Sequence, residues 1–79
     1  MTRTPAVRLA RRLRRRCTPL EHERVVLGLT QKHVAEAVGV NQAHLSLLER
    51  GLREPSIGTA RAFAAFYGRT VEFLFPGEP

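Results

Sequence analysis

Seventy-nine residues with a formal charge of +6 and 43% apolar side chains describe one small domain, near the lower size at which a chain folds without covalent staples. A single cysteine, Cys17, excludes an internal disulfide and suits a reducing compartment, so a cytoplasmic protein is expected. Without a Cys/His cluster there is no metal site to predict. No apolar run is long enough to cross a membrane, and no acid, base and nucleophile group forms at a suggestive spacing, so neither a membrane protein nor an enzyme is indicated, and no cofactor or small-molecule ligand is expected.

The charge is unevenly placed. Residues 1–18 hold seven arginines (Arg3, Arg8, Arg11, Arg12, Arg14, Arg15 and Arg16) and no acid, whereas residues 19–79 hold six basic and seven acidic side chains. Long-range attraction to a polyanion must therefore come mainly from residues 1–17, read as a basic arm. Ala6, Ala10, Leu13 and Cys17 fall at helical spacing, but Arg14, Arg15 and Arg16 repel one another. An arm without fixed structure in the free protein, helical on docking, is the expectation.

After the arm the chain is punctuated as five short helices. Thr18-Pro19-Leu20-Glu21 is a helix start: Thr as cap, Pro at the first helical position, and Glu three after the cap. This predicts a first helix over 19–27, with Leu20, Val25 or Val26, and Leu27 facing a core and Gly28 as the stop. Thr30 caps a second helix over 31–38, and Asn41 caps a third over 42–50 that ends at Gly51. Ser56 caps a fourth over 57–67, with Ile57, Ala60, Phe63, Ala64 and Tyr67 on one face and Gly68 behind it. Thr70 caps a last helix over 71–75, and residues 77–79 form a tail. Gly58, in the first turn of the fourth helix, costs about 1 kcal/mol of helix propensity, and close approach to the backbone of a polyanion or to a partner is one reason to keep it.

Residues 31–50 carry the strongest pattern. Val34, Val38, Val40, Leu45 and Leu48 occupy the inward positions of two helices crossing at a steep angle. Ala35 is small where the second helix must pass close by, and Gly39 stands where a left-handed turn residue is wanted. This is a helix-turn-helix, and its second helix leaves Asn41, Gln42, Ala43, His44, Ser46, Leu47 and Arg50 outside.

With Leu-Gly-Leu-Thr-Gln at 27–31, Ala35, Gly39-Val40, Leu-Glu-Arg-Gly at 48–51, Pro55-Ser56, Gly68 and Leu74-Phe75, residues 19–76 resemble the lambda-repressor-like (Xre/Cro-type) helix-turn-helix domain of bacterial and phage regulators. The arm lies outside the resemblance. The likeness implies an all-α, compact five-helix domain spanning 18–76 that binds double-stranded DNA as a homodimer on a palindromic operator and controls transcription. It also implies an ion pair between Arg24 and Glu49 that fixes how the first helix lies on the third.

Binding roles follow from chemistry and from that resemblance together. Gln31 opens a helix whose free N–H groups favour a phosphate, and the family implies that it clamps the DNA backbone, with Lys32 and Asn41 nearby. Gln42 can meet adenine with both ends of its amide, donating to N7 and accepting from N6. Ala43 suits a thymine methyl, and His44 and Ser46 reach either base edges or phosphates. Leu47 departs from the polar residue usual in the family and is either an apolar base contact or part of the core. Arg50 and Arg53, with Arg61 nearby, read as phosphate clamps, although Arg50 could equally serve the helix C-terminus. Arg11, Arg12, Arg14, Arg15 and Arg16 would follow the backbone or enter a minor groove. Phe66, Phe73 and Phe75 fit the family's dimer contact, or else enlarge the core. Two rival readings are an antitoxin, whose arm would bind a toxin, and an arginine-rich RNA binder.

Overall fold

A computed structural model describes residues 17–77. Among these described residues five helices follow in order, with no strand: α1 (Pro19–Val26), α2 (Gln31–Val38), α3 (Gln42–Glu49), α4 (Ile57–Tyr67) and α5 (Val71–Leu74). The expectations placed on the arm, including its helical tendency, lie outside the described residues.

Each helix starts on a side chain that takes up a free backbone donor. Thr18 accepts from the Glu21 N–H, Thr30 from His33, Asn41 from His44, Ser56 from Thr59 and Thr70 from Phe73, at 2.8–3.3 Å. All five capping residues are those the sequence singles out, and each removes one of the donors a helix N-terminus leaves unpaired. Gly39 turns α2 into α3 with φ of +90°, and its N–H and that of Val40 both reach the Ala35 carbonyl. A side chain there would be strained by the backbone angle alone.

The core is built from Leu20, Val34, Ala35, Leu45, Leu48, Phe63, Tyr67 and Leu74, with Leu29, Val38, Val40, Ala64 and Phe75 packed around them. Phe63 is fully buried at its centre, stacked near Tyr67 and edge-on to Phe75 at 6.0 Å between ring centroids. Burying a side chain of this kind stabilises by about 1.5–3 kcal/mol. All five inward positions named for the helix-turn-helix take part: Val34, Leu45 and Leu48 are buried, and Val38 and Val40 are partly so.

Two apolar expectations fail. Leu27 is more than half exposed, and α1 ends at Val26 rather than Leu27; of the alternatives Val25 and Val26, Val25 is the half-buried one. The fully buried residues of α1 are Leu20, as expected, and Arg24, four residues apart and therefore one above the other. Ile57 is also exposed, at 74%. It stands in the first turn of α4, at the rim of the stripe centred on Ala60, Phe63 and Tyr67, and no described helix covers it. At the other helix ends, α3 stops at Glu49 with Arg50 as its cap, and α5 at Leu74 with Phe75 as its cap, each one residue short of expectation.

Candidate nucleic-acid interface

Alternation of buried and open positions along α3 divides it in two. Leu45, Leu48 and Glu49 are buried, Gln42 and Ala43 are exposed, and His44, Ser46 and Leu47 are half-buried. Among the described residues, nothing covers the outer surface at Gln42 and Ala43. Leu47 takes an intermediate position, partly covered and partly open. Asn41 uses its Oδ1 to cap the helix, 2.8 Å from the His44 nitrogen, and keeps its NH2 as a donor.

What holds α3 at this angle is a buried polar network. Arg24 donates to Glu49 from Nε at 2.7 Å and from Nη2 at 3.1 Å, while its Nη1 donates to the Leu29 carbonyl at 2.8 Å. The pair is 5% and 1% exposed, so it is desolvated and stands on these bidentate contacts. Thr18 Oγ1 donates to the Glu49 backbone carbonyl, joining the start of α1 to the end of α3. Gln31, half-buried at the start of α2, donates its Nε2 to Glu49 Oε1 at 3.0 Å. The Tyr67 hydroxyl is buried without a hydrogen-bond partner among the described residues. Burial, and next the Glu49 carboxylate, push its pKa well above the ordinary tyrosine value, with Arg24 opposing.

The described cations outside the buried network are dispersed along the chain. Lys32 and His33 are exposed in the first turn of α2, and Arg53 and Arg61 are exposed beyond α3. Arg50 is exposed too, but its Nε lies 3.4 Å from the Ser46 carbonyl and so also serves the helix C-terminus. Arg11, Arg12, Arg14, Arg15 and Arg16 lie outside the described residues.

The aromatic side chains separate into two groups. Phe66 and Phe73 are exposed, whereas Phe75 is half-buried against Phe63 and the core. Phe73 carries the Arg69 guanidinium at 4.7 Å from its ring centroid, and Arg69 Nε is 3.2 Å from Glu23 Oε1. Ala64, Ala65, Gly68, Arg69, Thr70 and Phe73 line a shallow groove beside them. Sequence reasoning missed Arg69 and the Gln31–Glu49 contact. The four-residue spacing of Arg69 and Phe73 was a usable signal for the first, but the second joins residues brought together only by the crossing of α2 and α3. No described helix is long and apolar enough to cross a membrane, and no described cluster of His, Cys, Asp or Glu could hold a metal ion.

Comparison with known proteins gives the same answer from a separate direction. A family model described as Helix-turn-helix matches residues 20–74. Over 61 residues the chain is 39% identical to the HTH-type transcriptional regulator DdrOP3 of Deinococcus deserti, covering 77% of this chain but 47% of that protein. It is 32% identical over 56 residues to an HTH-type transcriptional regulator of Methanocaldococcus jannaschii, covering 71% of this chain and 85% of the other. A third such regulator, from Methanothermobacter thermautotrophicus, is 40% identical over 59 residues, covering 73% and 86%. The chain therefore spans about half of the first relative and most of the two archaeal ones. No solved structure matches. With an all-helical fold, an open second helix of the motif and a family match over most of the described residues, the chain belongs to the lambda-repressor-like helix-turn-helix family of DNA-binding transcriptional regulators.

Proposed function

We propose that this chain is a sequence-specific regulator of transcription that binds a palindromic operator in double-stranded DNA as a homodimer, with α3 in the major groove. One observation carries the reading: Gln42 and Ala43 stand uncovered at the start of α3, while the far end of the same helix is held to α1 by a buried ion pair. A reading helix needs both an open face and a fixed angle.

Under this reading Gln42 meets adenine through its amide and Ala43 a thymine methyl, with His44, Ser46 and Leu47 completing the contact to base edges. Lys32, Asn41, Arg50 and Arg53 contact phosphates, together with the α2 N-terminus at Gln31 and the arm arginines. Those contacts set position and affinity rather than sequence. The exposed aromatic surface at Phe66 and Phe73, bordered by Phe75, is the face on which a second copy docks. The site of action is the cytoplasm. Selection of bound sequences from a random duplex library at stated salt tests the proposal. A palindrome with half-sites one helical turn apart, about 34 Å, is expected; a selection that enriches no sequence refutes it.

A further inference from the structure

Glu49 receives three hydrogen bonds on its carboxylate, and they are not equivalent. Arg24 supplies two and neutralises the charge. The third comes from Gln31, a neutral side chain on the neighbouring helix, reaching 3.0 Å from the first residue of α2 to the last residue of α3. Nothing in helix initiation requires this contact, because Thr30 already caps α2. Nor does the ion pair require it, because both Glu49 oxygens are already bonded to Arg24. What the contact adds is a tie between the two helices of the motif, opposite the turn at Gly39.

We propose that Gln31 is a positioning residue for sequence reading: its side-chain amide sets the angle of α3 through Glu49, and main-chain N–H groups at the start of α2 meet the phosphate. The assignment rests on the reading of α3 as the base-contacting helix. Its physical basis is the narrow tolerance of base-edge recognition, in which displacements of about 0.5 Å or tilts of about 10–20° spoil a designed contact. A hydrogen bond to a carboxylate is among the stronger neutral–charged contacts available to hold such an angle. A side chain that gripped phosphate would instead add the same affinity to every duplex.

The experiment compares wild type, Gln31→Met and Gln31→Lys on the duplex selected by wild type and on a random duplex, at one salt concentration. Methionine keeps the reach and removes the donor; lysine restores a donor for Glu49. All three are first checked for native helicity and melting, which the untouched Arg24–Glu49 pair should preserve. Gln31→Met is expected to lower the preference for the selected duplex by about tenfold, the order of one hydrogen bond to a charged group, with random-duplex affinity unchanged. Gln31→Lys should restore the preference. Equal weakening on both duplexes would assign the side chain to phosphate and overturn the proposal, as would an unchanged preference. A wild-type protein with no preference at all would instead overturn the functional reading, and this assignment with it.

Discussion

Arg24 and Glu49 are among the most deeply buried side chains described, and each is tolerable there only because the other is present. Arg24→Ala leaves a carboxylate enclosed with Gln31 as its remaining side-chain donor among the described residues, and a destabilisation of about 3–5 kcal/mol is expected in urea denaturation. Replacing both members with apolar residues of similar volume should recover most of that stability. A double variant as weak as Arg24→Ala would show that packing, not unpaired charge, sets the cost. Tyr67 is the single tyrosine of the chain, so its ionisation can be followed by absorbance without interference. Burial raises its folded-state pKa above the usual value of about 10. Below that value both states are protonated and its contribution is constant. As pH rises further the unfolded chain ionises first, so stability falls. The folded protein should titrate above the unfolded one, and Tyr67→Phe should flatten the alkaline fall in melting temperature. At neutral pH the same change should be close to neutral or mildly stabilising, since it removes a hydroxyl that lacks a partner among the described residues.

At the level of elements, the helices are short and owe their limits to their ends. Four of them have eight residues or more, yet none is long enough to be stable alone in water. Caps therefore decide where each begins, and tertiary burial decides that it persists. Gly58 is the exception to this economy. It sits inside α4, and a Cβ built there meets nothing within 4 Å, so nothing described in the chain requires glycine. Gly58→Ala should raise stability by up to about 1 kcal/mol. If the start of α4 lies against DNA, duplex affinity should fall in the same variant. A variant both more stable and equally tight in binding would remove Gly58 from the interface.

For the whole molecule, the division of charge is the dominant fact. The arm holds seven of the thirteen basic residues and the remainder is nearly balanced. Removing residues 1–16 should therefore reduce the steepness with which duplex affinity falls with salt, by about 0.9 in log–log slope for each phosphate that the arm neutralises. An unchanged slope would leave the arm without a part in DNA binding. The proposed self-association would use the other end of the chain. Phe73→Asp places a charge on the exposed aromatic surface, and sedimentation should show a weakened dimer. A folded variant that associates like wild type would take Phe73 out of that interface.

Local signals in the amino-acid order account for most of the architecture. Thr18, Thr30, Asn41, Ser56 and Thr70 mark the helix starts because a side-chain oxygen three residues ahead of an N–H is a short-range geometry. Likewise, the spacing of Val34, Val38, Val40, Leu45 and Leu48 depends only on helical pitch and a left-handed turn at Gly39. These determined the helix-turn-helix and left Gln42 and Ala43 outside. Depth, however, depends on which neighbour stands opposite, and pitch carries no information about that. Val26, Leu27 and Ile57 have core chemistry but sit exposed at helix ends, beyond the described core. Gln31 has the chemistry of a phosphate contact, yet the crossing of α2 over α3 brings its amide to Glu49. The pairing of Arg69 with Glu23, across 46 residues, likewise exists only because the chain closes on itself. Capping and periodicity act over one or two helical turns and can be read from residue order, whereas the partners of a side chain across helices are set by packing the finished elements together.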